Sequence, residues 1–156
     1  MYKQSIKPYV VLVFFLVVID QFTKMRLIDF FASENDQVIH IFPGLNLLSA
    51  WNDGISFGLF SELEYSNIVF LVLSSIAVLI LIILLFKEKT KLYSLSYAFI
   101  IGGALGNIID RLNYDAVFDF IDIYVGQYHW PAFNMADSYI CFGAMLLIFS
   151  SFKTRY

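Results

Sequence analysis

The sequence predicts an all-α membrane protein: four transmembrane helices with a small extracytoplasmic β-sheet segment between helices 1 and 2, in one membrane-embedded domain over 1–156. Three observations predict it. The 156-residue chain is 60% hydrophobic and 15% charged, against about 45–50% and about 25% in soluble domains. Four apolar stretches approach the roughly 20 residues that a bilayer crossing needs. Between the first two stand the turn signals Pro43-Gly44 and Asn52-Asp53-Gly54, which interrupt any helix.

Span 1 is expected near 8–28. Lys3, Lys7 and the apolar run 9–19 have the look of a signal peptide, but the run passes straight into Asp20-Gln21-Phe22-Thr23-Lys24 with no small-residue cleavage site, so it reads as a retained span. In the outer segment 29–64, Val38-Ile39-His40-Ile41 and Leu45-Asn46-Leu47-Leu48 read as short strands between turns, forming a small sheet on the membrane surface. Span 2, near 65–86, carries no charge. Span 3, near 92–111, is uncharged until Asp110 and Arg111. A second outer segment, 112–130, leads to span 4 near 131–152, which is apolar except for Asp137.

Orientation follows from the basic residues. Lys3, Lys7, Lys87, Lys89, Lys91, Lys153 and Arg155, seven of the ten Lys and Arg, fall in segments that four spans place on one side. By the positive-inside rule that side, with both termini, is cytoplasmic. Tyr128 and Trp130 suit an aromatic belt at the mouth of span 4. His40 and His129 lack a spaced partner and read as interfacial or loop residues. Cys141, the single cysteine, reads as a small buried hydrophobe. No metal-ligand spacing is present, and no basic patch with interleaved aromatics suggests nucleic acid.

With this topology Asp20 and Lys24 of span 1, Asn107, Asp110 and Arg111 of span 3, and Asn134 and Asp137 of span 4 converge in the outer half of the bilayer. A charge in hydrocarbon costs at least about 2.5–3.5 kcal/mol, so groups at one depth are best explained if they face one another. Such a cluster is either a structural network or a polar site open to the outer leaflet. No GxSxG or HExxH occurs, and no His lies within the spans to activate Ser or Cys. Acids remain. Two carboxylates in a poorly solvated site cannot both ionise easily, so one keeps a proton while the other activates water. Asp20, Asp110, Asp119, Asp122 and Asp137 are all candidates, and composition and topology do not choose the pair. Other classes stay open at this point: a small proton-coupled transporter, or a non-catalytic membrane scaffold.

Five blocks, IDQFTK at 19–24, NDGISFG at 52–58, GGALGNIIDR at 102–111, VFDFID at 117–122 and PAFNMADS at 131–138, occur in an order and setting that resembles lipoprotein signal peptidase (signal peptidase II), the bacterial membrane aspartyl protease. The resemblance implies a catalytic dyad of Asp119 and Asp137. It implies that Asn107, Asp110, Arg111 and Asn134 order the site and the substrate backbone. Asp20 and Lys24 would support from span 1, and Asn52 and Gly54 would belong to the segment covering the substrate. The implied substrate is a prolipoprotein whose cysteine carries diacylglyceryl, cut just before that cysteine without metal or organic cofactor. The expected setting is the bacterial cell (inner) membrane, multi-pass, as a monomer among membrane lipids, with the active site facing the outer leaflet. Beside this, the residues themselves make Asp115 a solvated turn residue and Asp122 a bystander, and pair Asp110 with the adjacent Arg111. Gly102, Gly103 and Gly106 would serve either close helix packing or room for substrate.

Overall fold

The computed structural model describes residues 5–33, 38–54 and 66–153. Among the described residues four helices and four strands follow in the order α1 (Lys7–Ser33), β1 (Val38–Phe42), β2 (Leu45–Asn52), α2 (Ser66–Lys87), α3 (Lys91–Tyr114), β3 (Val117–Val125), β4 (Tyr128–His129) and α4 (Met135–Lys153). Among the described residues, Ser66–Lys87, Lys91–Tyr114 and Met135–Phe152 are long and apolar enough to cross a membrane. α1 carries Asp20, Lys24 and Arg26, yet it presents Val10, Phe14, Phe15, Val18 and Phe22 outward.

α3 is the central helix, packing against α1, α2 and α4. Its glycines make that possible. A Cβ on Gly106 would meet the Asp20 carboxylate and Ala136, and one on Gly103 would meet the Ala136 backbone. The glycines therefore serve close packing between α3 and its neighbours. Val78, Leu85, Tyr97, Ile101 and Ala104 close the α2–α3 interface. Phe118 and Phe120 pack with Phe31 of α1.

The expected helix limits shift at three points. α1 runs past residue 28 to Ser33. α3 runs past Arg111 to Tyr114 and ends where Asp115 takes a left-handed conformation (φ 57°), its N–H donating to the Arg111 carbonyl at 3.2 Å. α4 begins at Met135, not 131. Residues 131–134 are instead held as an extended strap, because the Phe133 carbonyl accepts from Phe120 and Ile121 N–H while its own N–H donates to Ile121. Lys3, residue 65, and Arg155 lie outside the described residues.

The sheet is larger than the sequence reading placed between helices 1 and 2. It is antiparallel in the order β1-β2-β3-β4, so half of its strands come from the second outer segment. The physical signal was present: VFDFIDIYV is rich in β-branched and aromatic residues, and β2 offers it an edge. Leu47 pairs with Ile121 and Ala50 with Asp119. Leu48 and Ser49 thus stand against Phe120 alone, a one-residue bulge in β2 beside Asp119.

Candidate active site

The site is built from a buried base upward. Lys24 of α1 has three N–H donors, and all three are used: Asp20 Oδ2 at 2.9 Å, Asp110 Oδ2 at 2.8 Å, and Asn107 Oδ1 at 3.1 Å. Asp20 and Lys24 make the expected i,i+4 pair, and both are almost wholly buried. The expected Asp110–Arg111 pairing gives way to Lys24. Adjacent residues on a helix diverge by about 100°, so Asp110 turns to α1 while Arg111 turns toward Phe70 of α2 and the cavity. The triad also anchors other elements. Asp20 accepts the Ala136 N–H at 2.9 Å, and Asp110 accepts the Phe118 N–H at 3.2 Å. Gln21, quoted in IDQFTK but assigned no role, donates to Asp110 Oδ1 at 2.8 Å and to the Gly106 carbonyl at 3.1 Å.

Lys24 decides how Asn107 faces. With its Oδ1 held by Lys24, Asn107 presents Nδ2 to Asp137 Oδ1 at 2.8 Å. Asn134 and Asp137 form a reciprocal cap at the start of α4. The Asp137 N–H donates to Asn134 Oδ1 at 3.0 Å, and the Asn134 N–H donates to Asp137 Oδ2 at 3.2 Å. The helix dipole favours a carboxylate in this first turn. Asn134 Nδ2 is then free to donate to Asp119 Oδ1 at 2.7 Å and to Asn107 Oδ1 at 3.2 Å. One asparagine side chain thus bridges β3 and α4.

The second donor to Asp119 is Asn52 of β2, whose Nδ2 lies 3.0 Å from Oδ2. Asn52 Oδ1 accepts the Gly54 N–H at 2.9 Å, which orients the amide. Gly54 has φ +108°, a conformation costly for any side chain. Burial pushes the Asp119 carboxyl up to about 6; the charge of Asp137 adds to this, and the amides of Asn52 and Asn134 oppose it.

Asp119, Asp137, Asn52, Gly54, Asn107 and Arg111 all line one cavity of about 610 Å³, with Asn134 just behind. Phe70, Val117, Trp130 and Phe133 supply its apolar walls. The Arg111 guanidinium faces it, resting over the Phe70 ring at 5.7 Å. Asp20, Lys24 and Asp110 sit behind as the support. Cys141 is exposed on the cavity wall, not buried as expected, because it follows Asp137 by one turn on the same face. Ser138, also on the wall, was missed. Residues 55–58 of NDGISFG lie outside the described residues.

Three expectations away from the cavity also resolve. Asp115 is exposed and its carboxylate accepts from Asn67 at 3.4 Å, as suits a surface cap. Asp122 stands away from the cavity, buried and hydrogen-bonded, and His40 and His129 are bonded within the sheet. Strand alternation put Asp122 on the opposite face from Asp119, where β2 and β4 enclose it.

Comparison with known proteins bears on the reading. A family model described as "Signal peptidase (SPase) II" matches residues 12–153. A lipoprotein signal peptidase of Anaplasma phagocytophilum (strain HZ) is 43% identical over 140 residues, covering 90% of this chain and 88% of that one. One of Rickettsia canadensis (strain McKiel) is 43% identical over 141 residues, covering 90% and 72%. A solved bacterial membrane enzyme superposes with a TM-score of 0.82 at 28% identity, covering 98% of this chain and 93% of that one.

Proposed function

The chain belongs to the signal peptidase II family, which removes signal peptides from prolipoproteins, and on that premise we propose an aspartyl mechanism carried by Asp119 and Asp137. The observation that carries it is the meeting of two carboxylates from separate elements at one cavity, bridged by Asn134. Asp119, whose burial favours the neutral form, holds the proton. Asp137 receives two N–H donors that suit a carboxylate. Asp137 takes a proton from water as its oxygen attacks the scissile carbonyl carbon, and Asp119 protonates the carbonyl oxygen. The tetrahedral species then collapses: the C–N bond breaks, the proton held by Asp137 passes to the leaving amine, and Asp119 recovers its own. Two carboxyls and one water balance the step.

The substrate is a prolipoprotein carrying diacylglyceryl on cysteine, cut just before that residue. Arg111 and the Asn107 and Asn134 amides order the peptide, while Asn52 and Gly54 belong to the segment covering it. Its acyl chains lie in lipid beside the apolar cavity wall. α1 is the fourth span of a single domain, its charges matched inside the bundle and its apolar face outward. Both termini are cytoplasmic in the bacterial inner membrane, the cavity opens to the outer leaflet, and the protein works as a monomer.

The test uses purified protein in detergent with a lipid-modified prolipoprotein, read by gel shift. Asp119→Asn and Asp137→Asn each abolish cleavage and remain folded, and Asp115→Asn stays active. Near-normal cleavage by either dyad variant removes that residue from the mechanism, and tolerance at both points to a scaffold.

A further inference from the structure

In a regular strand Asn46 and Asn52, six residues apart on β2, face the same side, whereas Asp119 and Asp122, three apart on β3, face opposite sides. Yet Asn46 bonds Asp122 and Asn52 bonds Asp119. The bulge at Leu48-Ser49 reconciles the two patterns. On one side of it Asn46 lies opposite Asp122; on the other Asn52 lies opposite Val117, on the face of Asp119. Without that extra residue, Asn52 turns to the far face and Asp119 loses a donor.

The far face carries its own polar chain, drawn from all four strands. His40 Nδ1 donates to Asn46 Oδ1 at 2.8 Å, Asn46 Nδ2 donates to Asp122 Oδ2 at 2.7 Å, and His129 Nδ1 donates to Asp122 Oδ1 at 2.8 Å. Asn46 and Asp122 are each only 3% exposed. None of these residues lines the catalytic cavity. His129 leads directly into the strap that is bonded to β3 and ends at Asn134. The chain therefore grips β3 from both sides: through β2, which carries Asn52, and through β4, which leads to Asn134.

We propose that Asn46, Asp122 and His129 are positioning residues, a register clasp on the far face of the sheet that keeps the β2 bulge in place and holds Asp119 against Asn52 and Asn134. This rests on the aspartyl reading above. Asn46→Asp sets two carboxylates opposite each other, whereas the double exchange Asn46→Asp/Asp122→Asn restores the cross-strand bond with its direction reversed. It also leaves an acceptor oxygen for each histidine.

Cleavage kinetics on the lipid-modified prolipoprotein test it, with thermal unfolding in the same detergent as the folding check. Asp122→Ala and Asn46→Asp are expected to lower kcat on the order of 10- to 100-fold, with KM within about twofold, and the double exchange to recover most of the loss. Unaltered kcat in Asp122→Ala overturns the proposal, as does a double exchange no better than Asn46→Asp alone. Where Asp122→Ala does not fold, the exchange comparison decides. Activity in Asp119→Asn sinks the aspartyl reading itself, whereas an inactive Asp119→Asn beside a fully active Asp122→Ala sinks only the clasp.

Discussion

Asp119→Asn is expected to produce an inactive protein that is more stable than the parent at alkaline pH. In the fold the Asp119 carboxyl titrates near 6, against 3.8 for an exposed aspartate. The folded state therefore holds a proton that the unfolded chain has lost. Stability from this group falls as pH rises from about 4 to about 6 and stays low above. At roughly 1.4 kcal/mol per pH unit, the cost of ionising Asp119 in place is about 3 kcal/mol. An asparagine never carries that cost. It does lose something: its single amide oxygen cannot serve both the Asn52 and Asn134 donors, a mismatch worth about 1–2 kcal/mol. The variant should thus be more stable by about 1–2 kcal/mol near pH 8 and less stable by a similar amount near pH 4. Thermal unfolding in detergent, followed by the fluorescence of Trp51 and Trp130 across that range, reads the crossover. Midpoints should move apart by roughly 6 °C or more between the two ends of the range. Parallel pH profiles for parent and variant would refute a raised Asp119 carboxyl.

Three further expectations follow from the same geometry. With Asp119 as the proton donor, kcat/KM should decline above about pH 6; a flat profile across that range, measured by initial cleavage rates, contradicts the assignment. Lys24→Met leaves the Asp20 and Asp110 carboxylates buried without their cation, a loss of about 3–5 kcal/mol. Adding Asp110→Asn should recover part of that loss in thermal unfolding. Gly106→Ala drives a methyl group toward Asp20 and Ala136, so it should cost about 1–3 kcal/mol and reduce cleavage through the α1–α3–α4 junction; an unchanged unfolding midpoint shows that the junction yields.

Much of this was legible in the residues. Uncharged runs at α2 and α3 marked membrane helices because hydrocarbon leaves few alternatives. The cost of a buried charge sent Asp20, Lys24, Asp110 and Asp137 to one depth and one cluster. Motif resemblance chose Asp119 and Asp137 from five acids, and the cavity receives both. The pairing of Asp110 was misread, because chain adjacency to Arg111 suggested a partner that helix geometry turns away. The hydrogen bonds that hold Asp122 were not legible, because they depend on which strands flank β3.

The sequence by itself determined the solvent, the main spans, the inventory of polar groups and their common depth, since those depend on hydropathy and chain order. Only the tertiary structure decided which polar atom meets which. Lys24 crosses from α1 to orient Asn107, Asn134 joins a helix cap to a strand, and one extra residue in β2 sends two asparagines to opposite faces of the sheet. Such choices rest on register and on the approach of backbones distant in the chain. No local pattern encodes them, because a shift of one residue leaves composition intact and reverses every side chain.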